Sequence, residues 1–135
     1  MNLSVINNLY KMIETTELDP EVGIRVGHLS GGEEFSFFGA LIAPHTDLSA
    51  HCHKSGDEIY MIMEGNGLMY LGELNSGGNV VWEPPFSIKK GDCFTVGAGN
   101  VHQLCNNTYQ NLIAVFGCPK SHLSTDRIIL SGHSD

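Results

Sequence analysis

No apolar run in this chain approaches the roughly 20 residues that a membrane-spanning helix requires, and its first residues lack the form of a signal peptide. No membrane partner is expected, and a cytoplasmic location is the default. Basic residues are also scarce. Seven Lys plus Arg stand against 15 Asp plus Glu, for a formal charge of −8, which leaves no basic stripe to follow a phosphate backbone and argues against nucleic acid as a partner. The acidic residues between Glu14 and Glu21 and at Glu33-Glu34 are expected on solvated faces. The four cysteines, Cys52, Cys93, Cys105 and Cys118, lack any CxxC spacing. Buried, reduced thiols are expected for them.

What the chain has is glycine, 16 residues in 135, punctuating short β-branched and aromatic runs. That is an all-β pattern in a chain of single-domain size. The expected strands are Gly23 to His28, Phe35 to Ala43, Leu48 to His53, Glu58 to Met63, Leu68 to Leu74, Val80 to Trp82, Phe86 to Ile88, Cys93 to Val96, Val101 to Asn106 and Asn111 to Phe116. Gly31-Gly32, Gly65-Asn66-Gly67, Ser76-Gly77-Gly78-Asn79 and Lys89-Lys90-Gly91-Asp92 mark turns between them. Joined as two Greek keys, such strands make a jelly-roll barrel. An N-terminal segment over residues 1–22 precedes the barrel at 23–118, and a tail over 119–135 follows. In the first segment Leu9, Met12 and Ile13, with Val5 and Ile6 before them, have partial helical spacing, so a short helix is expected. In the tail, Ile128-Ile129-Leu130 reads as a final strand or an ordered cover for one end of the barrel.

The chemistry lies in two segments. Side chains alternate along a strand, so His51 and His53 point one way and Cys52 the other. Glu58 follows a short polar break and opens an apolar strand, so a turn can return its carboxylate to the same pocket. His102, far along the chain, closes the set from a distant strand. Three imidazoles and a carboxylate without a thiolate suit one divalent transition metal ion, Fe, Mn, Zn or Ni. An ion that prefers six ligands would keep two positions open for water or substrate, which is what catalysis needs. Imidazole binds metal only when neutral, so affinity is expected to fall as pH drops through about 6.5.

These residues carry a resemblance. From His51 to Gly65 the chain resembles the first cupin motif: HxH, four residues, Glu58, six residues, Gly65. The second motif is matched by Gly91, five residues, Gly97-Ala98-Gly99, two residues, His102, three residues and Asn106. Two positions depart from the pattern. His45 stands where the first motif begins with glycine, and Gly97 where the second usually has proline; His45 would add a polar group near the pocket mouth. The resemblance, to the cupin superfamily in its small single-domain form, implies a double-stranded β-helix with His51, His53, Glu58 and His102 on the metal. It also implies a homodimer through an outer sheet face.

Tyr60 shares parity with Glu58, and its hydroxyl is the candidate catalytic proton donor or substrate anchor. Gln103 should point away from the pocket, whereas Phe94 and Val96 should line the interior. Ile59, Met61 and Met63 lie on the opposite face from Glu58, which something must cover. His28, His45, His122 and His133 match no motif position and are expected to be ordinary polar residues. The partner is then a small polar molecule. A metal-dependent enzyme, of dioxygenase or sugar isomerase/epimerase type, is one reading. A non-catalytic cupin that holds a small carbohydrate or organic acid is the other. Of the cations, only Lys54 is close in sequence to the ligands, which disfavours a phosphorylated substrate.

Overall fold

The computed structural model describes residues 6–135, so Val5, part of the expected lead-in to the N-terminal helix, lies outside the described residues. One helix, α1 (Leu9–Ile13), precedes the strands β1 (Leu18–Asp19), β2 (Ile24–Gly31), β3 (Ser36–Ile42), β4 (Thr46–Asp47), β5 (His51–Cys52), β6 (Glu58–Glu64) and β7 (Asn66–Leu74). There follow β8 (Val80–Trp82), β9 (Phe86–Lys89), β10 (Cys93–Val96), β11 (Val101–Asn106), β12 (Leu112–Cys118), a 3₁₀ turn (Lys120–Leu123) and β13 (Ile128–Ile129). The strands form two antiparallel sheets. One runs β1-β2-β3-β12-β6-β10; the other runs β13-β5-β11-β7-β8, with β4 also on β11 and β9 on β7.

Alternation builds the core between the sheets. Along β3, Phe38, Ala40 and Ile42 are buried inside, joined by Tyr60 and Ile62 of β6, Met69 of β7, Leu104 of β11 and Leu112, Ala114 and Phe116 of β12. The expected strand from Leu48 to His53 is broken in the structure. Within it only β5 pairs with β11, β4 pairs with β11 just before it, and the stretch between them carries isolated bonds, such as Leu48 N–H to the Leu104 carbonyl at 3.0 Å.

The helix has a specific seat. Gly27 and Gly39 face each other in the β2–β3 register, and side chains of Leu9 and Met12 occupy the space that a Cβ at Gly39 would need. Asn8 caps α1, its side chain accepting from the Tyr10 and Lys11 amides, a stabilising arrangement for a helix start. Among the described residues nothing covers the outer face of the same sheet beyond α1. Phe37, Ile59 and Met61 are exposed there together with Phe35.

Asn106 shows how a motif residue without a ligand role holds the barrel. It is fully buried, and its Nδ2 donates to the carbonyls of Ile42 (3.0 Å) and Gln110 (2.7 Å). Its Oδ1 accepts from the amide (3.0 Å) and hydroxyl (2.8 Å) of Thr108. One side chain thus ties the end of β3 to the turn between β11 and β12. Removing it orphans several buried groups at once, so Asn106→Ala is expected to lower the unfolding free energy by about 2–4 kcal/mol. Urea unfolding measures this directly; a change under about 0.5 kcal/mol would contradict the role given to this residue.

Candidate metal centre

Both sheets contribute to one buried cluster. His51 begins β5, directly opposite His102 on β11, and His53 follows on the same face. Cys52 turns the other way, into a small cluster with Ala50 and Val101, as alternation requires. Glu58 begins β6 on the facing sheet, beside Val96 of β10. All four candidate ligands are buried, His102 almost completely. One ring nitrogen from each of His51, His53 and His102 lies within 4.8 Å of the other two. Glu58 Oε2 stands 3.1 Å from His53 Nε2 and 3.5 Å from His102 Nε2.

The backbone decides which nitrogen faces inward. Nδ1 of His51 meets the Ser49 carbonyl at 2.9 Å, Nδ1 of His53 the Asp126 carbonyl at 2.5 Å, and Nδ1 of His102 the Asn100 carbonyl at 3.3 Å. A carbonyl can only accept, so each Nδ1 carries a proton, and the neutral form of each ring has its lone pair on Nε2, toward the cluster. Histidine ligands are held this way by outer partners. The atoms they present have no other partner: His53 Nε2, His102 Nε2 and Glu58 Oε2 are buried without a hydrogen bond. Each buried polar group left so costs about 1–3 kcal/mol, and a cation between them removes that cost for all of them together. The donor set, imidazole nitrogen and carboxylate oxygen, fits a divalent first-row metal.

His122, expected to be an ordinary polar residue, is instead part of this cluster. It is 2% exposed, its Nε2 donates to the Ser55 carbonyl at 2.6 Å, and its Nδ1 lies 3.5 Å from Glu58 Oε2 with no hydrogen bond of its own. Its ring stacks on that of His53, centroids 3.9 Å apart and planes at 4°. His122 thus braces the His53 ring and faces the carboxylate, and its donor atom together with those of His53 and Glu58 makes a second group of possible ligand atoms within 4.8 Å of one another. Asp126 works beside it, its carboxylate accepting from the amides of Lys54 (2.7 Å) and Ser55 (2.9 Å). Both belong to the tail, where no motif marked them; the spacing of a turn that returns from across the barrel leaves no local pattern.

Three other expectations change. His45 does not reach the pocket. It takes a left-handed φ of 51° and packs edge-on against Tyr109, 4.3 Å between centroids. Lys54 is exposed, and the cation that lines the pocket is Arg127, already held by Asp19 (2.7 Å) and Glu21 (3.1 Å). Cys93 is exposed rather than buried; all four cysteines are free thiols. Burial, with Asp47 adding, pushes the Cys105 thiol up to about 12.

Tyr60 is where parity put it, on the pocket wall with its ring stacked on Phe94 (5.3 Å) and 6.4 Å from the His102 ring. Burial and then the Glu58 charge raise its phenol well above the usual value, so it keeps the proton it could donate. Gln103 points outward, donating to the Leu48 carbonyl. The remaining walls are apolar: Val22, Ile24, Val26, Leu48, Phe116 and Leu123.

Electrostatics keep the cluster ready for a cation. Burial opposes ionisation of Glu58, but the imidazoles of His102, His122 and His53 hold its carboxyl well below the usual range. Burial, helped by His102, lowers His51 to about 3, so proton competition at His51 falls well below the ordinary histidine range expected from sequence. This has a stability consequence. Between about pH 6.5 and 3 the unfolded chain holds a proton on His51 that the folded protein does not, so stability falls as pH drops through that window. His122 acts oppositely. Burial alone would lower its pKa, but Glu58 and the Ser55 carbonyl raise it, which favours the fold as pH falls. In metal-free His122→Phe protein, the unfolding free energy is therefore expected to fall with a slope of up to about 1.4 kcal/mol per pH unit between pH 6 and 5. Adding His51→Gln should remove that slope, and urea midpoints that are flat in both proteins would contradict the account of His51.

No protein-family model and no curated protein matches the sequence. Solved structures match its fold. A double-stranded β-helix protein from Klebsiella pneumoniae subsp. pneumoniae MGH 78578 superposes with a TM-score of 0.68 at 17% identity, over 96% of this chain and all of that one. A Cupin 2 conserved barrel domain protein from Salinispora arenicola CNS-205 gives 0.64 at 17%, over 92% and 95%. KdgF from Halomonas sp. gives 0.59 at 14%, over 77% and 84%. The chain thus has the cupin fold, a double-stranded β-helix. Among the described residues no helix is long and apolar enough to cross a membrane.

Proposed function

We propose that this protein is a metal-dependent cupin enzyme acting on a small organic molecule, with His51, His53, Glu58 and His102 holding one divalent ion. The observation that carries this reading is the set of buried lone pairs without partners, His53 Nε2, His102 Nε2 and Glu58 Oε2, on rings whose tautomers the backbone fixes. A bound ion of this kind supplies Lewis acidity and, for iron, the means to activate dioxygen.

The pocket walls favour one substrate class. Six apolar side chains line the cavity, and its one arginine is committed to Asp19 and Glu21, so a phosphate or strongly anionic group finds no free cation. A small, largely apolar or neutral molecule suits this lining, which favours the dioxygenase type over the sugar phosphate isomerase. Tyr60 donates a proton or anchors an oxygen of the substrate. With iron restored, oxygen uptake is expected with small aromatic or hydroxy-carbonyl substrates. Tyr60→Phe should lower turnover about 10²-fold or more while binding persists. Equal turnover in the variant would remove Tyr60 from the chemistry, and ligand binding without oxygen uptake or solvent-proton exchange under any of Fe, Mn, Zn or Ni would leave the non-catalytic reading.

A second copy of this chain is the partner proposed for the uncovered outer face. Phe37 and Ile59 flank Gly117 in register, Met61 follows one strand pair along, and Phe35 folds over Gly117. The stripe carries no charge, so it is complementary to itself. Light scattering should give twice the chain mass for the wild type and the single mass for Met61→Glu. A wild-type monomer at high micromolar concentration would contradict the dimer.

A further inference from the structure

A second set of ligating side chains lies on the opposite side of β11 from the buried cluster. His102 and Leu104 face the barrel interior, so Gln103 and Cys105 face outward, where the end of the chain crosses them. Cys105 is paired in register with Asp47 of β4. His133 arrives from the tail, its ring stacked on Tyr70 (3.7 Å, 8°) and its amide donating to Gln103 Oε1 at 2.9 Å. Tyr70 is itself the β7 partner of Gln103, so a strand residue on each side fixes the ring.

The three groups converge. Cys105 Sγ lies 3.8 Å from His133 Nε2, and that nitrogen lies 3.9 Å from Asp47 Oδ2; the three donor atoms all fall within 4.8 Å of one another. A zinc ion about 2.3 Å from sulfur and about 2.0–2.1 Å from nitrogen and oxygen, with tetrahedral angles, sets donor separations of about 3.4–3.6 Å. The two distances from His133 Nε2 exceed these values by about 0.2–0.5 Å, and the sulfur-to-carboxylate separation stays within 4.8 Å. They are too long for strong hydrogen bonds, and the same nitrogen of His133 faces both other groups. That excludes a relay in which the two ring nitrogens serve different partners, as a nucleophilic Cys-His-Asp triad requires.

We infer that Cys105, His133 and Asp47 form a second metal site, selective for zinc or a similarly thiophilic divalent ion, that pins the C-terminal tail to the barrel. One sulfur, one nitrogen and one oxygen make a softer set than the barrel cluster, which has no sulfur. Asp47 is exposed and His133 half-buried, so water completes the fourth position. On binding, a metal–sulfur bond forms and the thiol proton leaves to solvent. The site also gives the tail a function. The tail supplies β13, the His122 ring and the Asp126 carbonyl to the barrel cluster, so anchoring its end steadies elements that the first site uses.

The presence of sulfur separates the two sites experimentally. Cobalt(II) added to the His51→Ala, His53→Ala double variant should give a thiolate-to-cobalt charge-transfer band, and zinc should bind there at one equivalent. Cys105→Ser should abolish the band and weaken zinc binding at least about tenfold, and His133→Ala should weaken it similarly. Should the double variant not fold, the same band is read in the wild type, because the barrel donors contain no sulfur. A band that survives Cys105→Ser, which keeps the exposed Cys93, or no band in any folded protein, would overturn the site. Loss of metal from the barrel alone would leave both readouts unchanged, so the two proposals fail separately.

Discussion

The structure turns on a geometric conflict at Glu58. Three imidazole nitrogens, of His53, His102 and His122, lie 3.1–3.5 Å from Glu58 Oε2 in a buried place, and each of these rings turns its other nitrogen to a backbone carbonyl. Acceptors that face each other without a proton between them repel. A protein tolerates such an arrangement only when something positive resolves it. Against the effect of burial, Glu58 and the Ser55 carbonyl raise the His122 pKa and so favour positive charge beside the carboxylate; the rest is the role given to the ion. The fold therefore supplies a charge pattern whose complement is a cation.

The two sheets and the tail divide this work. β5 and β11 carry the imidazoles, β6 brings the carboxylate from the facing sheet, and residues 119–127 close over the top. The closure is polar and specific. Asp126 binds the 54–55 backbone through its side chain and the His53 ring through its main chain, while His122 binds the Ser55 carbonyl and stacks on His53. The short β5 has few ladder bonds of its own, so its neighbours hold the HxH pair in place. A rigid outer frame of this sort is what gives ligands a fixed geometry before the ion arrives.

The strands, and the burial of His51, His53, Glu58 and His102 in one cluster, were legible because period-2 alternation and glycine turns are local signals. His51 and His53 share a face for that reason, as do Glu58 and Tyr60 on the facing sheet, and the structure sets Tyr60 on the pocket wall and Val96 in the core. Other features left no local trace. His122 reaches the cluster through a 3₁₀ turn after β12, and Arg127 enters the pocket wall by pairing with Asp19 over 100 residues away. The two-residue β1 was too short to show a pattern. His45 shares its neighbourhood with the first motif in sequence only, because its left-handed backbone sends the chain toward Tyr109. In each case long-range packing overrode what local pattern supports.

The most direct test of the central claim is elemental analysis of untagged protein purified without added metal, beside the His51→Ala, His53→Ala double variant. The account predicts a first-row transition metal in the wild type, near one equivalent in the barrel, that the double variant lacks. Wild-type protein that holds no metal, even after reconstitution with iron, manganese, zinc or nickel, would contradict it.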